Sequence, residues 1–297
     1  MESTTELIHS SNKPQRFIRA NTTPVSLSVM EREHIIPVFA KDNQLTISHV
    51  EFIHSVVDAV NHVYRGHRVD PVQIQASHPI QGRVPEAKDK KPHELKEHEK
   101  TLYYERMMFL VEVPSIIYQV DGKSLNLCVG GIKAYNQDRL SGKITDQHFK
   151  VFVGFKVHVC SNMKVATDGC VLEIRTKHPD EIFLQTVDML QSFSYIAYIN
   201  KMRDMSSKII TREEFEIMIG IIRSRFYDPT VDTKDWFGDQ LMGQVVKGYF
   251  DNPHFKANPD GTISLWNLYN LFTEANKGSY VDSFLERSTW ITKAIIH

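Results

Sequence analysis

Between His148 and Ser161 every second residue is large and apolar. Phe149, Val151, Val153, Phe155, Val157 and Val159 alternate with Lys150, Phe152, Gly154, Lys156, His158 and Cys160. A sustained period of two predicts a β-strand with one face turned to a core. Upstream, Met107–Val113 and Ile116–Val120 are strand-like, Asp121-Gly122 is a hairpin signal, and Leu125, Leu127 and Val129 alternate after it. Downstream, Ser161-Asn162 and Asp168-Gly169 mark turns before Val171–Thr176. The expectation is an antiparallel meander of local pairings. A further strand pair is expected from Ile35–Ala40 and Gln44–Ile47 around the polar turn Lys41–Asn43. Pro85–Lys100 has no apolar face and reads as an exposed connection.

Helical periodicity occupies one early segment and the whole carboxy-terminal half. Ser48 with Glu51 forms a capping box before Ile53, Val56, Val57, Val60, Val63 and Tyr64, and Gly66 ends that helix. Pro179, Asp180 and Glu181 open a helix expected to reach about Met202. Thr211 with Glu214 opens another, carrying Phe215, Met218, Ile222 and Phe226. Further helices are expected at Trp236–Phe250, Ser264–Lys277 and Tyr280–Ile296, with Gly278 separating the last two. Strands followed by helices, without repeated βαβ units, predict an α+β fold. The expected organisation is a flexible tail over 1–23, a mainly β region with one early helix over 24–177, and a helical region over 178–297 packed on it as one domain.

Composition narrows the setting. Hydrophobic residues make up 41% and charged residues 24% of 297 positions, enough apolar content for a sizeable core. No apolar run approaches a membrane span and the start lacks signal-peptide features, so no membrane partner is expected. Cys128, Cys160 and Cys170 form no CxxC pair, and reduced thiols in a cytoplasm fit them. Although the net charge is −1, residues 123–177 hold nine Lys and Arg against four acids, a local excess of +5. That segment is the one place expected to hold a polyanion.

The candidate chemistry follows from this excess. If Lys150, Phe152, Lys156 and His158 line an outer sheet face, lysines can meet phosphates while bases stack on Phe152; a solvated or helix-covered face is the competing reading. Lys133 and Tyr135 extend the set from Gly130-Gly131-Ile132-Lys133-Ala134-Tyr135-Asn136, where paired glycines permit close backbone approach but the spacing of a phosphate loop is missing. On the penultimate helix, Asn267, Asn270, Thr273 and Glu274 form a polar stripe, readable as internal hydrogen bonding or as ligand contact. No metal or cofactor is expected. His93 and His98 are five apart rather than four. Lys256–Asn267 has Asn258, Asp260 and Gly261 in the register of a calcium loop, but Lys256 and Asn267 replace two ligands. Acid-plus-Glu-x-Lys patterns at Asp70, Glu86 and Lys88, or at Asp168, Glu173 and Arg175, are the only nuclease-like arrangements.

Tyr103-Tyr104-Glu105-Arg106-Met107, the GGIKAYN stretch, KVFVGFKVHVCSN from Lys150 and SLWNLYNLFTEANKGSYVDSFLER from Ser264 together resemble an uncharacterised family of Bacteroides proteins. Through Asn270-x-x-Thr273-Glu274 the chain is also distantly similar to phage- and plasmid-like proteins. The resemblance implies a bacterial cytoplasmic protein carried on mobile DNA and implies no catalytic residue. The leading expectation is a non-enzymatic accessory protein binding single-stranded DNA or RNA through the basic sheet. The alternative is a protein-interaction factor, such as a host-defence inhibitor, that meets a host or element-encoded protein through the carboxy-terminal helices with Trp266, Tyr269, Tyr280 and Trp290 as anchors. A phosphodiester-cleaving enzyme comes third.

Overall fold

The computed structural model describes residues 16–34, 46–138, 146–158, 163–165, 171–234 and 236–296. The expected strand pair at 35–47, the turns at Ser161-Asn162 and Asp168-Gly169, and Cys160 and Cys170 lie outside these residues, apart from Thr46 and Ile47, which are irregular.

The sequence's strongest hairpin signal sits at the centre. Asp121 and Gly122 take positive φ of 51° and 68°, as a two-residue hairpin turn requires. They join β5 (Arg106–Val120) to β6 (Lys123–Ala134), and β6 pairs antiparallel with β7 (Gln147–Val157). Met107–Val113 and Ile116–Val120 thus form one strand, bent by an irregularity between Val113 and Ile117. The order continues outward through β2 (Gln73–Ser77) to β1 (Thr22–Val25) on one side. On the other, β8 (Met163–Val165) and β9 (Val171–Thr176) share the edge of β7. All seven strands pair antiparallel. A separate hairpin joins β3 (Pro79–Arg83) to β4 (Lys100–Tyr104), and the exposed connection between them contains short 3-10 turns.

Helices cover both faces of the central strands. The short α1 (Leu27–Glu33) precedes α2 (His49–Val63), whose capping box forms as Ser48 and Glu51 predict. From α2, Phe52 meets Phe109 of β5 edge-on at 5.3 Å and Phe149 of β7 at 4.9 Å. This is the face of the odd-numbered β7 residues, and α3 (Pro179–Ser192) packs beside α2 on it. The chain breaks at Phe193 and Ser194 before α4 (Tyr195–Ser207), so the helix expected to run to Met202 is two helices. The opposite face meets α8 (Phe284–Ile296) and the 3-10 turn before it, where Arg106 pairs with Asp282 at 3.4 Å.

The remaining elements form two helix–strand–helix units. β10 (Ile209–Ile210) lies between α4 and α5 (Arg212–Phe226), while β11 (Ile263–Ser264) follows α6 (Asp239–Asp251) and starts α7 (Leu265–Asn276). The two short strands pair antiparallel and tie the units together. Among the described residues the fold is α+β, as expected, with its helices concentrated in the carboxy-terminal half. The tail is shorter than expected, because Phe17 and Ile18 are buried in the core and Thr22 and Thr23 already belong to β1.

Candidate functional site

The even-numbered face of β7 is not open. The Lys150 side chain is 6% exposed and its ammonium pairs with Glu286 of α8. Phe152 is fully buried, with its ring against Gly130, where an added Cβ would fall 2.4 Å from Phe152 Cζ. Lys156 pairs with Glu112 across the sheet, and Glu112 also accepts from Gln73 at 2.9 Å. His158 is exposed but lies past the end of the strand. The platform expected for stacking bases is therefore a protein interior, and the lysines expected to meet phosphates already hold carboxylates. A strand between two helical layers needs apolar or paired groups on both faces, and Lys150 and Lys156 satisfy that need by pairing.

Lys133 and Tyr135 belong to the other face and to a buried polar cluster. The Lys133 ammonium donates to both Asp138 oxygens at 2.8 and 2.6 Å, and both side chains are 0% exposed. It also lies 4.2 Å from the Phe149 ring centroid. Burial pulls Lys133 down to about 8, against the opposing pull of Asp138. Tyr135 packs 4.7 Å from the ring of His49, which itself stacks 4.6 Å from His34. Tyr104 N–H donates to His34 Nδ1 at 3.2 Å, which leaves Nε2 carrying the hydrogen toward the Tyr135 hydroxyl at 3.1 Å. His49 Nε2 donates to the Tyr104 carbonyl at 2.7 Å. Both imidazoles are thereby neutral: burial lowers His34 to about 4 and drives His49 well below its ordinary value, with His34 adding to the effect. Sequence reading missed this pairing because His34 and His49 are joined only through the fold.

The glycine pair at 130–131 serves packing. A Cβ on Gly130 would lie 2.3 Å from the Phe109 carbonyl oxygen, and one on Gly131 would lie 2.5 Å from the Phe52 ring. The α7 stripe also turns inward. Asn270 donates to the Trp266 carbonyl at 2.8 Å, Thr273 donates to the Asn270 carbonyl at 3.1 Å, and both are buried. Glu274 accepts from Lys277 at 2.7 Å and pairs with Arg19, fastening the start of the described chain. Asn267 starts the helix by donating its backbone N–H to Ser264 at 3.1 Å. Nearly every residue of α7 is buried, so its polar groups are used inside the protein. In the calcium-like segment, Asp260 accepts from both the backbone and the hydroxyl of Thr262, and Gly261 turns with φ of 82°. Among the described residues no group of three metal-ligating side chains converges. Of the nuclease-like acids, Asp70 pairs with Arg68 and Glu173 lies 3.3 Å from His148, while Asp168 is outside the described residues.

The feature with no internal explanation is α5. Its sequence sets seven large apolar residues, Phe215, Ile217, Met218, Ile219, Ile221, Ile222 and Phe226, among six charged ones, more apolar side chains than its one buried face takes up. Only Phe215 and Ile222 are buried; Phe215 stacks face to face on Tyr249 at 4.0 Å. Ile217 is 54% and Ile221 45% exposed. The stripe Glu214, Ile217, Met218, Ile221, Ile222 and Arg225 forms one wall of a groove of about 540 Å³. The opposite side is Trp290, Lys293 and Ala294 of α8 together with Trp236. The two indoles lie 5.4 Å apart, and Phe237 backs Trp290 at the same distance. Of the anchors expected on these helices, Trp290 lines the groove, whereas Trp266 and Tyr269 are core residues and Tyr280 is exposed elsewhere. A second groove of about 380 Å³, lined by Ile219, Met242 and Val246, flanks α5 on its α6 side.

Among the described residues no helix is long and apolar enough to cross a membrane. A family model matches residues 3–295 under the description "Domain of unknown function, B. Theta Gene description (DUF3871)". No curated protein and no solved structure matches the chain.

Proposed function

The chain belongs to the DUF3871 family, whose description carries no activity, and from that premise we propose that it is a non-enzymatic interaction protein that holds a segment of another protein in the groove between α5 and α8. The observation that carries this reading is the exposure of Ile217 and Ile221 beside two half-buried tryptophans. Exposed contiguous apolar surface costs free energy in water, of order 25 cal/mol per Å², and persists on proteins chiefly where a partner covers it. The groove combines large aromatic walls with a charged rim, the anatomy of a binding hot spot. Nucleic-acid binding through β7 would require α8 to leave the sheet and two lysines to surrender their carboxylates. A setting on mobile DNA is part of the same proposal and rests on the phage- and plasmid-like resemblance of Asn270-x-x-Thr273-Glu274 alone, with a host or element-encoded protein as the partner. A cytoplasmic setting belongs to the same proposal, and Cys128 enters it only as a free, buried thiol.

Site-specific photocrosslinking in the producing cell tests the reading. A crosslinker replacing Ile217 should capture a discrete partner, and Ile221→Asp should abolish the capture. The same crosslinker at Leu184, an equally exposed residue on α3, should not capture it. Equal capture at both positions, or capture that survives Ile221→Asp, would refute the groove as the docking site.

A further inference from the structure

Resting on the docking groove just described, we infer that its occupant is an acidic amphipathic helix, with an apolar face about three turns long and carboxylates along its flank.

The shape of the groove argues for a helix. Residues 214, 217, 218, 221, 222 and 225 recur at the three and four spacing of one α5 face. The eleven steps from Glu214 to Arg225, at about 1.5 Å rise each, give this wall a length of about 16 Å, or three turns. Its other wall is α8 with Trp236 from the loop before α6, so the groove is bounded by side chains. No strand edge is among its lining residues. A strand could not satisfy its backbone there, whereas a helix brings its hydrogen bonds with it and needs only to seat side chains at i, i+3 or i+4, and i+7.

The rim argues for the sign of the partner. Arg225 and Lys293 both line the groove and both are exposed. The neighbouring basic residues of α5 are already engaged: Arg212 with Glu216 and Arg223 with Asp239, at 2.8 and 2.9 Å. The one acid on the rim, Glu214, is held in the capping box, where it accepts from the Thr211 backbone at 2.7 Å and its hydroxyl at 3.0 Å. Arg225 also lies in the field of Asp228, an acid outside the groove lining, and the lining itself carries two cations against one carboxylate that is engaged within its own helix. Carboxylates flanking the apolar face of an incoming helix complement that arrangement, while a basic helix would meet like charge.

Peptide titration of the full-length protein tests this, read through tryptophan fluorescence, since two of the three tryptophans line the groove. Three synthetic helical peptides of about 15 residues share one apolar face and differ only in carrying Glu, Lys or Gln on its flanks. The expected result is that the Glu peptide binds about tenfold tighter than the Lys peptide at low salt, with the gap narrowing as salt rises. Charge reversal by Arg225→Glu with Lys293→Glu should invert the order, and since both residues are exposed, circular dichroism should show an unchanged fold. Equal affinity for all three peptides would overturn the acidic partner while leaving the groove as an apolar docking site. If none of them shifts the emission, and Ile221→Asp also leaves capture by the crosslinker at position 217 unchanged, both the partner and the groove are overturned.

Discussion

The stacked histidines make stability depend on pH in a way that can be worked out for His34. Its ordinary pKa is 6.5, and burial lowers it to about 4 in the folded protein. The unfolded chain therefore takes up a proton at His34 first as pH falls. The contribution is fully present above about pH 6.5 and drains away between 6.5 and 4. Integrating the two titrations gives a total loss of about 3 kcal/mol, of which about 2 kcal/mol is gone by pH 5. The surroundings offer a proton no compensation: His34 faces His49, Tyr104 and Tyr135, and Lys133 adds its positive charge to the field at His49. The test compares urea unfolding of the wild type and His34→Gln at pH 7.5 and 5.0. The variant cannot titrate, so its stability deficit should shrink by about 2 kcal/mol at the lower pH. The surface carboxylates titrate in both proteins and cancel in the difference. A deficit equal at both pH values would show that burial does not hold His34 below its ordinary value.

Substitution of the glycine pair should be costly in a definite order. Gly131→Ala meets the Phe52 and Phe109 rings and should lose about 1–3 kcal/mol in thermal unfolding, while Gly130→Ala meets the fixed Phe109 carbonyl and should lose more. Lys150→Ala strips Glu286 of its partner and should destabilise the protein by about 1–3 kcal/mol, below the cost of breaking a fully buried pair because Glu286 is partly exposed. Lys156→Gln should leave fluorescence-anisotropy titrations with labelled single-stranded DNA and RNA unchanged; a loss of binding with a smaller salt slope would restore the sheet face as a nucleic-acid site. On α5, Ile217→Asp should change the melting free energy by no more than about 0.5 kcal/mol, whereas Ile222→Asp, at the buried floor of the same groove, should cost about 3 kcal/mol or more.

The elements that could be read from the chain are those whose determinants are local. The period of two at β7, the Asp121-Gly122 turn, the Ser48 and Thr211 caps and the α+β order all depend on residues within a few positions of one another. The flanking strands β1 and β2 escaped notice because they are short and their partners are distant in sequence. The candidate site was misplaced for a related reason. A lysine on alternate positions of a strand reads the same whether it faces water or a glutamate from a helix 136 residues away, as Lys150 does. The Asn270 and Thr273 stripe likewise looks like a surface until α7 is seen to be enclosed. The apolar residues of α5 were visible in the sequence, but their exposure was not. Periodicity along the chain determined which segments are strands and helices and where they begin, because backbone hydrogen bonding and capping are short-range. Only the tertiary structure decided which polar groups are spent on one another and which apolar faces are left over, because those depend on what the long-range packing brings opposite each side chain.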